Sequence, residues 1–143
     1  MHYFDTSFLA PLILDEATSG AVERFLADLP AGSLAVSHWT RVEFSSLLAR
    51  EVRMGGLELR QAQEADRQFE AIIEESFVVW LPSADDFNLA KQFLGRRRTG
   101  LRAGDALHLA VGANHGADPI CSFDKTLLEA GETLGLPVSA RTG

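Results

Sequence analysis

Short apolar runs alternate along the chain with longer stretches in which apolar residues recur every three or four positions. The short runs are typical of β-strands, and the longer periodic stretches are typical of amphipathic helices. Strands that alternate with helices form a mostly parallel sheet with helices on both faces. We therefore predict an α/β fold, a three-layer α/β/α sandwich with a central, mostly parallel sheet. The predicted strands are residues 1–4, 34–37, 77–81, 119–122 and 137–139.

The strongest helical signal lies in residues 59–73, where apolar side chains recur at three- and four-residue steps. Gly55-Gly56 separates this helix from the one before it, so the two helices are expected to form a hairpin between the second and third strands. Gly135 and Pro137 end the last helix. The predicted helices are residues 21–29, about 42 to 54, 59–73, 84–97, 105–114 and 125–134.

The composition indicates one ordinary globular domain over residues 1–143. Hydrophobic residues make up 46% and charged residues 23% of the sequence, which is close to the average for folded domains. Cys121 is the only cysteine, so no internal disulfide is possible. No apolar run approaches the roughly 20 residues of a membrane-spanning helix, and the first residues do not resemble a leader. We expect a cytoplasmic protein that does not contact membranes.

The formal net charge is −7, which argues against a protein that coats nucleic acid by bulk electrostatics. One local basic cluster stands out, formed by Arg96, Arg97, Arg98 and Arg102 just before Asp105. Such a cluster is consistent with residues that hold phosphates beside a metal, and equally with a solvated helix end. Both interpretations stay open on the residues alone.

Four acidic residues lie where strands end or the following helices begin. Asp5 ends the first strand, Asp124 follows the fourth, Glu43 lies in the helix after the second, and Asp105 begins a predicted helix. Ligands bind beyond the carboxyl ends of parallel strands, and clustered carboxylates suit Mg²⁺ or Mn²⁺ in phosphodiester hydrolysis. Taken singly, Asp105 and Asp124 also stand where N-caps stand. The spacing alone leaves metal binding and helix capping open.

Four segments resemble the signature segments of PIN domains, in the same order and spacing. The resemblance implies that Asp5, Glu43, Asp105 and Asp124 are catalytic and bind Mg²⁺, with Mn²⁺ as a possible substitute. It also implies that Thr6, Ser7 and Ser122 are supporting hydroxyls; many relatives carry threonine at the position of Ser122. The segments are Phe4-Asp5-Thr6-Ser7, Arg41-Val42-Glu43-Phe44, Gly104-Asp105-Ala106-Leu107-His108-Leu109-Ala110 and Ser122-Phe123-Asp124-Lys125.

The chain is similar in particular to VapC toxins of type II toxin–antitoxin systems. This resemblance implies a metal-dependent endoribonuclease that cleaves RNA with an activated water, leaves a 5′-phosphate and a 3′-hydroxyl, and inhibits translation and growth. It also implies a homodimer and a VapB-like antitoxin that lies across the active-site groove, in a heterotetramer or larger assembly. From the charge pattern, and not from the resemblance, we predict that Arg96, Arg97, Arg98 and Arg102 hold the RNA backbone; the alternatives are a solvated helix end or a cluster that pairs with acids across a dimer interface.

Two alternatives within the same fold are a PIN nuclease of RNA processing and a non-catalytic module that binds RNA or protein. A phosphoaspartyl phosphatase is disfavoured because position 7 is Ser7 and not a second aspartate. Zinc chemistry is disfavoured because the histidines show no paired spacing. His108, Cys121, Trp39 and Trp80 are expected to be structural.

Overall fold

A computed structural model describes residues 1–143 and contains one five-stranded sheet in which every strand pairing is parallel. The order along the sheet is β3-β2-β1-β4-β5, so β1 is central. The predicted central sheet is confirmed, and it is fully rather than mostly parallel. The strands are β1 (His2–Phe4), β2 (Leu34–Ser37), β3 (Val78–Trp80), β4 (Ile120–Cys121) and β5 (Val138–Ser139).

The chain winds outward from β1 through β2 to β3 on one side and later adds β4 and β5 on the other. Tyr3 of β1 lies opposite Ala35 of β2 and opposite Ile120 of β4. The direction of winding therefore reverses between β1 and β4, and the loops after these two strands diverge. In open parallel sheets this reversal creates a crevice at the carboxyl ends of the strands. Asp5 and Asp124 follow the two strands that flank it.

Seven α-helices and two short 3₁₀ turns connect the strands, at Ala10–Leu12 and Arg97–Thr99. Each predicted helix is present, with ends displaced by a few residues. The helices are α1 (Thr6–Leu9), α2 (Ser19–Asp28), α3 (His38–Arg53), α4 (Leu59–Ser76), α5 (Ala84–Gly95), α6 (Ala103–Asn114) and α7 (Lys125–Thr133).

Two features of these helices differ from the predictions. The single turn α1 is not among the predicted helices, because four residues are too few to show a helical period; Asp5 caps it by accepting a hydrogen bond from the Phe8 amide. Helix α6 begins at Ala103 rather than Asp105, after Gly100 takes a left-handed turn at φ +68°. Asp105 is therefore the third residue of α6 and does not cap it.

The core has two halves, one on each face of the sheet. Successive side chains of a strand point to opposite faces, so Phe4 packs in one half and Tyr3 in the other. Helices α1 to α4 cover the Phe4 face, and α5 to α7 cover the Tyr3 face. A Cβ on Gly112 would lie 2.7 Å from Ile120 side-chain atoms, so this glycine lets α6 lie close against β4. The three-layer prediction is confirmed.

None of the helices is long and apolar enough to cross a lipid bilayer.

Candidate active site

An open cleft of about 580 Å³ lies at the carboxyl ends of the central strands. All four predicted acids line it, although they come from four separate segments of the chain. Leu47 is the one hydrophobic side chain in its wall, so the cleft suits charged and hydrated ligands. The lining residues are Asp5, Thr6, Ser7, Glu43, Ser46, Leu47, Arg50, Arg53, Arg102, Asp105 and Asp124.

Asp5 is held at the floor of the cleft, where only 3% of its surface is exposed. Its Oδ1 accepts hydrogen bonds from Ser7 Oγ at 2.8 Å and the Phe8 amide at 3.1 Å, and its Oδ2 accepts one from Ser122 Oγ at 2.5 Å. Burial raises the pKa of Asp5, while nearby His108 and these donors oppose the rise. Two of the predicted hydroxyls, Ser7 and Ser122, thus orient this carboxylate.

Glu43 projects from α3 into the cleft, and its Oε1 is hydrogen-bonded from two sides. Thr6 Oγ1 donates to Oε1 at 2.7 Å, and His108 Nε2 hydrogen-bonds to the same oxygen. Burial alone raises the pKa of Glu43, but the hydrogen bond and charge of His108 outweigh it and lower the pKa below its usual value. The third predicted hydroxyl, Thr6, therefore orients Glu43.

His108 lies one helical turn after Asp105 and is almost completely buried. Its Nδ1 is 2.8 Å from the Tyr3 hydroxyl, which is 2.9 Å from Ser37 Oγ. Burial lowers the pKa of His108, but the Tyr3 hydroxyl and the Glu43 and Asp5 carboxylates raise it to about 10. The sequence interpretation of His108 as a structural residue is incomplete, because the imidazole contacts a cleft carboxylate. Its spacing from Asp105 is the available sequence signal.

Asp105 and Asp124 line the same cleft. Burial, together with the charges of Asp124 and Glu43, raises the pKa of Asp105 to about 6. Asp124 Oδ1 accepts a hydrogen bond from the Leu127 amide at 2.9 Å and so caps α7. Asp124 therefore both caps a helix and lines the cleft. Asp105 lines the cleft but caps no helix.

The donor chemistry of this cleft fits a hard divalent cation. Four carboxylates line it, and burial together with the neighbouring charges of Asp124 and Glu43 holds the pKa of Asp105 above its usual value. No group of three His, Cys, Asp or Glu side chains is already arranged to hold an ion. Asp105 and Asp124 are half-buried, whereas both carboxylate oxygens of Asp5 accept hydrogen bonds.

The predicted arginine cluster is divided by the fold. Arg102 lines the cleft, whereas Arg96, Arg97 and Arg98 are exposed outside it, at the turn between α5 and α6. This division arises because the 3₁₀ turn packs against the start of α7, where Gly100 lies near Thr126.

Two other arginines, Arg50 and Arg53 of α3, line the cleft and were missed from the sequence. They follow Glu43 by seven and ten residues, a spacing that places them on the same side of a helix. That periodicity was the available signal.

The fold is similar to those of several solved structures. VapC20 of Mycobacterium tuberculosis, described as a sarcin-ricin loop cleaving toxin, superposes with a TM-score of 0.72 at 27% identity over 92% of this chain and 95% of that chain. FitAcB of Neisseria gonorrhoeae gives 0.70 at 16% identity, covering 96% of both chains. A toxin–antitoxin complex of Klebsiella pneumoniae gives 0.59 at 20% identity, covering 87% of both. The last two likenesses show the fold alone.

Comparison with curated proteins gives no significant match. The family model of the PIN domain matches residues 2–132, a range that contains all four acids from Asp5 to Asp124. This range includes β1 to β4 and nearly all of α7, so the match spans both halves of the core. The chain belongs to the PIN domain family.

Proposed function

We propose that this protein is a metal-dependent endoribonuclease and the toxin of a VapBC-type toxin–antitoxin module. The observation that carries the proposal is that four acids from four distant segments line one polar cleft in a PIN domain. The likeness to VapC20 extends over nearly the whole of both chains, which favours a toxin over a PIN nuclease of RNA processing. The toxin and the RNA-processing enzyme would both be nucleases. The non-catalytic alternative is disfavoured because all four acids line the cleft.

The proposed metal ligands are Asp5, Glu43, Asp105 and Asp124. A Mg²⁺ or Mn²⁺ ion bound there would supply a nucleophilic water and neutralise charge on the phosphate. Ser7 and Ser122 hold Asp5, and Thr6 and His108 hold Glu43, so the protein orients two carboxylates before any ligand binds.

The reaction needs no protein nucleophile. In this proposal the hydroxyls of Thr6 and Ser7 orient the metal ligands, because they donate hydrogen bonds to the carboxylates of Glu43 and Asp5. Burial raises the pKa of the Cys121 thiol to about 12, which keeps it protonated. Hydrolysis by water is therefore the step that this cleft supports.

Arg50, Arg53 and Arg102 are the proposed contacts to the RNA backbone. Guanidinium groups bind phosphates through paired N–H donors, and these three share the cleft with the acids. Since the protein carries a net charge of −7, local cations are needed to offset repulsion of RNA. That Arg96, Arg97 and Arg98 also contact the RNA backbone stays a prediction.

The proposed partners are a VapB-like antitoxin over the cleft and a second copy of the chain, with action in the cytoplasm. An apolar groove between α3, α5 and α6 supports self-association, because Val42 and Phe87 in its lining are each 56% exposed. Exposed apolar patches of this kind mark interaction surfaces.

The test is RNA cleavage by purified, antitoxin-free protein. Wild type should cleave RNA with Mg²⁺ or Mn²⁺ and not with EDTA, and Asp5→Asn should lose most of the activity because it deletes an anionic ligand at nearly constant size. Millimolar Mn²⁺ should also raise the melting temperature of the wild type by binding the native state.

Asp15→Asn is the matched control, since Asp15 is an exposed acid outside the cleft and should leave cleavage intact. Circular dichroism establishes that each variant is folded. Cleavage by Asp5→Asn at the wild-type rate, or cleavage unaffected by EDTA, would contradict the proposal.

A further inference from the structure

We propose that His108 is a positioning residue for the metal site: it fixes the Glu43 carboxylate so that Oε1 is fully engaged and Oε2 is kept for the ligand. This inference deepens the proposed function and rests on it. His108 does not reach the cleft itself, so its effect passes through Glu43.

The Glu43 carboxylate, which projects from α3, is held by residues of two other helices, α1 and α6. Thr6 at the start of α1 and His108 of α6 both hydrogen-bond to Oε1. Oε2 lies against Gly104, where a Cβ would stand only 2.8 Å from it. The two donors and the missing side chain together hold the carboxylate in one orientation, with Oε1 engaged by Thr6 and His108 and Oε2 beside Gly104.

His108 is itself fixed by a buried relay of hydrogen bonds. Nδ1 bonds to the Tyr3 hydroxyl at 2.8 Å, and Tyr3 bonds to Ser37 Oγ at 2.9 Å. The Tyr3 ring is stacked on Trp80, with centroids 5.7 Å apart and planes 2° from parallel. The relay thus runs from β2 through β1 to α6, and it sets the ring orientation that aims Nε2 at Glu43.

The two hydrogen bonds of His108 do more than provide partners for the ring nitrogens of a buried histidine. A purely structural histidine needs two partners of any kind, whereas His108 bonds on one side to the rigid sheet and on the other to a cleft carboxylate. Hydrogen bonds to metal-binding side chains orient those ligands, and losing one such partner typically lowers metal affinity by about 10- to 100-fold. We expect an effect of that size here.

The experiment is calorimetric titration of metal-free protein with Mn²⁺, together with melting temperature in EDTA. His108→Leu removes the donor to Oε1 and should weaken Mn²⁺ binding by about 10- to 100-fold. His108→Gln places an N–H near the same position and should recover most of the affinity. Tyr3→Phe leaves the Glu43 contact in place and should weaken binding less than His108→Leu does.

Gly104→Ala is a second variant that leaves His108 untouched, for use if His108→Leu does not fold. Its methyl group should displace Oε2 and also weaken Mn²⁺ binding by at least tenfold. Wild-type affinity in folded His108→Leu, or in Gly104→Ala, overturns the inference. The inference is also overturned if every variant loses Mn²⁺ affinity in proportion to its fall in melting temperature and His108→Gln recovers no affinity.

The wild type and Asp105→Asn separate this inference from the proposed function. If the wild type binds Mn²⁺ and Asp105→Asn does not, the metal site stands, and the His108 variants alone decide the positioning role. If the wild type binds no Mn²⁺, the proposed function fails and the inference fails with it.

Discussion

Replacing Asp105 by asparagine should stabilise the metal-free protein while removing a proposed metal ligand. The pKa of Asp105 is raised from 3.8 to about 6, by burial first and then by the charges of Asp124 and Glu43. An acid whose pKa is higher in the folded state than in the unfolded state destabilises the fold once it is ionised. Asparagine keeps the shape of the side chain and removes that charge.

The size of the effect follows from the two pKa values. They differ by about two units, and each unit corresponds to about 1.4 kcal/mol, which sets an upper limit of about 3 kcal/mol. Asp105 is only partly buried, so solvent screening reduces the gain in free energy of unfolding to about 1 to 1.5 kcal/mol. For a chain of this length the melting temperature should rise by about 3 to 5 °C.

The pH dependence has a definite sign. Below the unfolded pKa of 3.8 the carboxyl is protonated in both states, so the wild type and Asp105→Asn should differ little. As pH rises from about 4 to about 6, the unfolded state releases its proton first and the wild type loses stability relative to the variant. Above the folded pKa of about 6 the difference should be constant.

The assay is thermal or urea unfolding in EDTA at several pH values between 4.5 and 7.5. Asp15→Asn makes the same change in net charge at an exposed position and controls for general repulsion in this acidic protein. The reasoning is refuted if Asp105→Asn is no more stable than Asp15→Asn at pH 7.5, or if its advantage does not shrink toward pH 4.5.

Two further predictions concern surfaces. In a cleavage-dead background, changing Arg50 and Arg53 to glutamine should reduce the log–log salt dependence of single-stranded RNA binding by about 1.4, since each lost phosphate contact removes about 0.7. The matched change of Arg97 and Arg98, which lie outside the cleft, should reduce this slope less. If changing Arg50 and Arg53 leaves the slope unaltered, these two arginines do not contact the RNA backbone. Phe87→Glu should turn a wild-type dimer into a monomer in light scattering, because it charges an exposed apolar side chain of the groove. A variant that stays dimeric would exclude this face as the interface.

Much of the fold was predictable because its signals are local. The strand at residues 34–37 is a short apolar run, and the helix at 59–76 repeats apolar residues at its own period, so each pattern reports burial directly. The one missed helix, α1, has a single turn and no period to detect. The start of α6 was misplaced because Asp105 resembles an N-cap, whereas the left-handed turn at Gly100 allows the helix to begin earlier.

The candidate site was predictable where strand ends determine position. Asp5 and Asp124 follow strands, and parallel strands bring their carboxyl ends to one edge of a sheet, so these two acids meet for a topological reason. Glu43 and Asp105 required more than topology, and the family resemblance supplied it. That all four line one cleft is a property of the folded chain.

Only the tertiary structure decided which distant side chains serve those acids. His108 and Glu43 are 65 residues apart and meet because α6 lies close against β4 at Gly112 and close against the Glu43 side chain of α3 at Gly104. The same packing places Arg53 in the cleft and leaves Arg97 outside it. Periodicity records which face of an element is buried, but it holds no information on which residues of another element lie opposite, because that depends on the distance and angle at which whole helices pack.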